Sequence, residues 1–189
     1  AAYAMPMLVF GVVFIFQKST SLKGVGYILT GLGFLFLGIH YMKEGFEAFK
    51  SSINLSTYSV GGYKGLFIFI LIGVFATVVM QSSHATLVLI ITALSVGQIS
   101  YENALALAIG ANIGTTITAI IGAMSSNIDG KRLAAAHLIF NLVTAFIAIA
   151  FIYQIIHIVD YLATNLNIAA DNYTLKLAIF HTIFNTIGI

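Results

Sequence analysis

Three long stretches of this chain carry no formally charged residue. No Asp, Glu, Lys or Arg occurs from Gly65 to Tyr101, from Asn103 to Ile128, or from Leu133 to Val159. Each stretch is at least as long as the roughly 20 residues that cross a hydrocarbon core as a helix. Lipid offers the backbone no hydrogen bonds, so runs of this kind satisfy their own amides as helices. Lys18, Lys23, Lys43, Lys64, Asp129, Lys131, Arg132, Asp160 and Asp171 lie between these runs or at the edges of apolar ones. Of the 189 residues, 60% are hydrophobic and 7% charged, whereas soluble domains carry roughly a quarter charged residues. A soluble fold of this size cannot hide that much apolar surface. The sequence predicts an all-α, polytopic membrane protein, multi-pass in a plasma or inner membrane.

The rest of the composition mostly excludes. With no cysteine there is no disulfide and no thiolate metal site. A net charge of +2 is too small to argue for nucleic acid as a partner. Tyr27, Tyr41, Tyr63, Tyr101, Tyr153 and Tyr161 fall near the ends of apolar runs, where an interfacial belt puts them. The chain starts at Ala1 and stops at Ile189 inside an apolar run, which reads as a piece of something longer.

Along the chain, Ala4–Phe16 reads as the end of one membrane helix and Gln17–Lys23 as a short basic loop. Tyr27–Met42 is a second helix in which Gly31, Gly33 and Gly38 allow close contact, and Lys43–Lys50 extends it. Ser51–Lys64 reads as a loop. Gly65–Gln98 is too long for one span and is interrupted by Gln81-Ser82-Ser83-His84. A polar cluster at membrane depth predicts a broken helix or a re-entrant hairpin with its tip there. Ala104–Met124 holds a second cluster, Gly110-Ala111-Asn112-Ile113-Gly114-Thr115-Thr116. Leu133–Val159 reads as one long helix, Asp160–Asp171 as a loop, and Tyr173 onward as the last segment. His137-Leu-Ile-Phe-Asn141 recurs as His181-Thr-Ile-Phe-Asn185, with His and Asn four residues apart on one helix face.

Amides and hydroxyls buried in hydrocarbon must be satisfied by something. For Gln81, Ser82 and Ser83 the choices are helix–helix bonding or a ligand. A helix break there frees N–H groups suited to an anion, and carbonyls and hydroxyls suited to Na⁺. Gly110 and Gly114 form a GxxxG pair, a common packing face, but glycines flanking Asn112 also allow the helix to unwind. Thr115 and Thr116 stand beside them. His84, His137 and His181, with Asn141 and Asn185, are candidate lining groups. A haem held by His137 and His181 is the alternative. A serine hydrolase using Ser83 and His84 is disfavoured, because adjacent side chains seldom face each other and no nearby acid orients the imidazole. No enzyme is expected, and no cofactor beyond a coupling ion. No Lys or Arg occurs in the clusters, so a bound anion needs cations to offset its lost hydration.

The segments Gln81-Ser82-Ser83-His84-Ala85-Thr86 and Gly110 to Thr116, with the two segments ending in Phe-Asn, resemble the type II sodium-dependent phosphate cotransporter family, bacterial members included. The resemblance covers roughly Tyr27 to Ile189. It implies two inverted repeats, each with a Q-S-S-S-type motif on a broken helix, and Na⁺-coupled symport of inorganic phosphate. By that resemblance Gln81, Ser82, Ser83, Thr86, Asn112, Thr115 and Thr116 bind substrate or ion, and Gln81, Ser82, Ser83 and Thr115 are the expected Na⁺ ligands. His84 stands where the family motif has its third Ser. Only one Q-S-S copy is present, so residues 1–26 are assigned to the last helix of an upstream repeat with its linking loop, and 27–189 to the second repeat. The missing repeat, or a second copy of this chain in a homodimer, is the implied partner beside phosphate, Na⁺ and lipid. A haem-bearing electron-transfer subunit and a non-transporting membrane scaffold are the competing functions.

Overall fold

The structure is a computed structural model that describes residues 3–50 and 61–188. Its contacts divide the chain into two compact units, residues 1–53 and 54–189. No strand occurs among the described residues; eight helices do. Four are long and apolar enough to cross a membrane: Thr20–Gly45, Gly62–Met80, Tyr101–Ala123 and Ile128–Ala150.

The first unit is a helical hairpin of α1 (Ala4–Ile15) and α2 (Thr20–Lys50). The boundary assigned at residue 26 thus falls inside α2. Of the three glycines expected to permit close contact, only Gly33 meets a neighbour, the Leu8 side chain, while Gly31 and Gly38 face open space. Gly11 and Gly26 supply the remaining close approach. A Cβ at Gly26 would meet the Ile15 nitrogen at 2.7 Å.

The second unit holds α3 (Gly62–Met80), α4 (Ser83–Ser95), α5 (Tyr101–Ala123), α6 (Ile128–Ala150), α7 (Ile152–Asn165) and α8 (Tyr173–Ile187). Residues 51–60 of the expected Ser51–Lys64 loop lie outside the described residues. Polar side chains cap four of these helices. Ser82, Ser100, Asn127 and Asn172 each accept a hydrogen bond from the backbone N–H three residues on, which satisfies one donor that a helix start leaves free.

Side-by-side contacts fix the helix directions. Gly110 of α5 abuts Ile70 and Val74, and Gly114 abuts Val74 and Thr77. Gly62, Leu66, Glu102 and Leu105 share one small cavity at the other end. So α3 and α5 run parallel, and the chain must travel back between them. It does so along α4: Thr77 and Thr86 hydrogen-bond across the turn at 3.0 Å. The α4 helix of 13 residues is about 20 Å long, short of the ~30 Å hydrocarbon thickness. The expected break is therefore present as a helical hairpin, with its turn at Gln81–Ser82.

The long helix expected over Leu133–Val159 kinks at Phe151 (φ −111°, ψ 23°), and helix continues to Asn165, through the first half of the expected Asp160–Asp171 loop. The α7 helix buries one stripe, Ile152, Ile155, Val159 and Ala163. Its first turn joins Gly62 and Glu102 around the same cavity, and the Tyr153 ring stands edge-on to Tyr63 at 6.1 Å. Its second half reaches the start of α8 through Asp160 and Lys176. Thus α7 lies across the starting ends of α3, α5 and α8. The core between them is Leu105, Ile109, Ile152, Val159, Leu177 and Phe180, all nearly inaccessible.

Candidate functional site

The break between α3 and α4 takes two residues. Gln81 adopts the left-handed conformation (φ 53°, ψ 24°), which costs a non-glycine residue roughly 1–2 kcal/mol. Ser82 is extended (φ −154°, ψ 110°), and its Oγ accepts the Ala85 N–H at 3.2 Å. The Thr86 hydroxyl donates to the Ser82 carbonyl at 3.0 Å and accepts from Thr77. Both threonines are fully buried. They stitch the turn shut from inside, and Thr86, expected as a ligand, faces this stitch.

What the stitch leaves outside is polar and unspent. Gln81 and His84 are exposed; Ser82 and Ser83 are half-buried. Among the described residues, nothing hydrogen-bonds the Gln81 amide or the Ser83 hydroxyl. The first N–H groups of α4 and the last carbonyls of α3 have no helical partner by construction. Donors for an anion and oxygen ligands for a hard cation thus meet at one turn. Gly114 lies beside Thr77, which puts the turn near the height of Thr118. That is about five residues, or ~8 Å, short of the end of α5. The turn thus lies below the end of α5 along the axis and is exposed on its outer side.

The second cluster does not break. Helix α5 is continuous from Tyr101 to Ala123, and the GxxxG reading is the one the structure realises. A Cβ at Gly110 would collide with the Ile70 carbonyl, and one at Gly73 with the Leu107 carbonyl. The polar side chains are satisfied within the helix: Asn112 bonds the Ala108 carbonyl at 3.2 Å, Thr115 that of Ala111 at 3.1 Å, Thr116 that of Ile113 at 2.6 Å. Asn112 and Thr115 are half-buried and Thr116 fully buried. The seam brings only Thr115 and Thr116 within about one helical turn of the height of the Gln81–Ser83 turn, and their hydroxyls are turned to carbonyls of their own helix.

The repeated His/Asn pairs behave alike. Asn141 donates to the His137 carbonyl at 3.0 Å and Asn185 to the His181 carbonyl at 2.8 Å. His181 lies on α8, which packs against α4, the helix that carries His84. His137 belongs to another level. Gly188 packs beside Phe140 and Thr144, so along the bundle axis His137 and His181 are separated by about 18 Å at 1.5 Å per residue. One iron cannot bind both.

Two features were missed in the sequence. The Lys176 ammonium, on a side chain only 10% exposed, pairs with Asp160 at 2.9 Å and lies 5.5 Å from the centre of the Tyr173 ring. Tyr173 packs on Tyr101, whose hydroxyl is buried without a hydrogen-bond partner among the described residues. Asp160 and Lys176 were separable as a pair only once α7 was known to cross the start of α8. Thr77, the partner of Thr86, sat unmarked inside an apolar run.

The Na+/Pi-cotransporter family matches residues 1–44 and 61–169. The chain belongs to this family. YqeW of Bacillus subtilis, an uncharacterized protein, is 26% identical over 90% of this chain and 51% of its own length. YjbB of Salmonella typhimurium, named for inorganic phosphate export, is 26% identical over 86% of this chain and 30% of its own length. The sodium-dependent phosphate transport protein 2C of Rattus norvegicus is 35% identical over 51% of this chain and 17% of its own length. The chain therefore spans about half, or less, of each of these relatives. No solved structure matches it significantly. Family and helices together make it a multi-pass protein of the plasma membrane.

Proposed function

We propose that this chain supplies one half of the pathway for Na⁺-coupled phosphate symport. The observation that carries the reading is the helix break at Gln81–Ser82, placed in the charge-free run Gly65–Tyr101, with the Gln81 amide and the Ser83 hydroxyl unspent among the described residues. Phosphate entering such a site loses hydration that no Lys or Arg in either cluster replaces. The positive end of α4 and the N–H groups of Ser83 and His84 offset part of that loss. Na⁺ on the oxygens of Gln81, Ser82 and Ser83, with Thr115 within one helical turn of that height, offsets more. Asn112 and Thr116 hold the wall behind them; His137, Asn141, His181 and Asn185 line the neighbouring helices. Because phosphate and Na⁺ each make the other's charge bearable, they move together.

Residues 27–189 act as the second of two inverted repeats in this reading. The break is open on its outer side, so its other wall comes from the first repeat or from a second copy of this chain. The direction of transport follows the gradients. An inward Na⁺ gradient draws phosphate in; the name of the Salmonella relative favours export, and one site serves either direction.

Radiolabelled phosphate uptake by the full-length protein in proteoliposomes tests the proposal. Uptake should require a Na⁺ gradient and fall at least tenfold in Ser82→Ala and Ser83→Ala, roughly the loss of one or two charge-assisted hydrogen bonds each. Full-rate uptake without Na⁺ refutes the coupling. Saturable coupled transport by this chain as a monomer refutes the half-site.

A further inference from the structure

The run Ala134-Ala135-Ala136 near the start of α6 has side chains of one carbon each, and the surface of the bundle is cut in on both sides of it. The groove on one side has a volume of about 520 Å³ and is walled by Ile120 of α5, by Met124 just past its end, and by Ala135, Leu138 and Ile139 of α6. Lys131 stands at its mouth on the same helix stripe, three and four residues before Ala134 and Ala135 and seven before Leu138.

We infer that this groove is a binding site for an anionic phospholipid, with an acyl chain along the apolar wall and the headgroup phosphate on Lys131. Three observations select that occupant. The wall is apolar and belongs to α6, one of the helices long and apolar enough to cross a membrane, and an apolar wall suits an acyl chain better than water. Lys131 has no carboxylate partner among the described residues, because Asp129 pairs with Arg132 at 3.5 Å. Asp129, Lys131 and Arg132 leave this end of the α5–α6 hairpin with one net positive charge, and no other Asp or Glu occurs between Asn103 and Val159. Lys131 also sits in the first turn of α6, just after the Asn127 cap. There the positive helix end adds to its field at headgroup depth. The groove on the other side, about 540 Å³, has Gly130, Leu133 and His137 on its α6 wall and no Lys or Arg. It lacks the headgroup contact and is not assigned.

The test is photolabelling of the full-length protein in nanodiscs with two lipid probes, a phosphatidylglycerol and a phosphatidylcholine carrying the same photoreactive acyl chain, mapped by mass spectrometry. The phosphatidylglycerol probe should label residues 120–139 about fivefold more than the phosphatidylcholine probe. Lys131→Gln should erase that preference, and Ala135→Phe should abolish labelling by both. Equal labelling by the two wild-type probes, or labelling unchanged in Lys131→Gln, overturns the assignment. So does a disulfide-linked dimer formed through Ala135→Cys, which would put a second copy of the chain in the groove. The outcome does not depend on whether phosphate is transported.

Discussion

Replacing Asp160 by Asn should damage this protein more than replacing its partner, and the burial of the two side chains says why. The ion pair is 2.9 Å long, with Lys176 10% exposed and Asp160 46% exposed. In Asp160→Asn the ammonium stays behind the wall of α7 with only the Tyr173 ring to meet it. That contact is worth about 0.5–1 kcal/mol at a partly wet site. Breaking a fully buried pair costs about 3–5 kcal/mol through the charge left alone. Water reaches this pair from the Asp160 side, so the loss should be about 2–3 kcal/mol. In Lys176→Met the group left alone is a half-exposed carboxylate, which hydrates where it stands, and the methionine refills the apolar part of the site. That change should cost about 0–1 kcal/mol. The double variant should lie near wild type, since a hydrophobic replacement of a buried pair is often neutral. Reversible unfolding in mixed detergent micelles, followed by the loss of helical signal, orders the three. If Lys176→Met proves as costly as Asp160→Asn, or the double variant as costly as the worse single, the pair is not organised by unequal burial and the reasoning fails.

Three further outcomes follow from the α3–α5 seam and the turn. Gly110→Ala should cost about 1–3 kcal/mol, because its methyl meets the α3 backbone, whereas Gly122→Ala, in open space, should gain about 0.5–1 kcal/mol; equal effects in the same unfolding assay would deny the seam. Ser82→Ala should lose about 1 kcal/mol by uncapping α4, seen as faster amide exchange over residues 83–86 but not over α5. Gln81→Gly should keep or raise stability by up to about 1 kcal/mol, since glycine accepts the left-handed backbone, while Na⁺-dependent phosphate uptake falls; a variant both stable and fully active would strip Gln81 of its ligand role.

The two polar clusters show what was legible and what was not. Both were visible as interruptions in apolar runs, and both were candidates to break a helix. Only one does, and the reason lies in hydrogen-bond direction. Asn112, Thr115 and Thr116 reach back to carbonyls three or four residues earlier, a bond that exists only while the helix continues. The Ser82 hydroxyl instead takes the N–H three residues ahead, a bond that exists only where a helix starts. Composition cannot tell the two apart, because either residue type makes either bond. The outcome was set by the partner helix. The glycines of the second cluster let α3 in to backbone contact, which requires a straight α5.

The α7 helix escaped for a different reason. Its apolar positions, Ile152, Ile155, Val159 and Ala163, have helical spacing with Gln154, His157, Asp160 and Tyr161 between them. That pattern is legible on its own. It was masked because Leu133–Val159 is free of Asp, Glu, Lys and Arg throughout, and a charge-free run long enough to cross the bilayer looks like one span. Amphipathic periodicity, not charge, separates the crossing part from the part that lies flat.

A broken helix is stable only if something beside it is not broken. The turn at Gln81–Ser82 gives up helical hydrogen bonds and holds Gln81 in a strained conformation. It is kept in place by the Thr77–Thr86–Ser82 stitch on the inside and by the α3–α5 seam, which ends at Thr77 and Gly114. The rigidity of α5 is therefore part of the site even though its side chains point to their own carbonyls. This makes the seam and the turn one unit in energy. Gly110→Ala lies about eight residues, or ~12 Å of helix, from the height of the turn, yet it should weaken Na⁺-dependent phosphate binding by displacing the turn. An independent pocket of ligands would not feel that change, and unaltered binding in a folded Gly110→Ala protein would show the turn to be self-supporting.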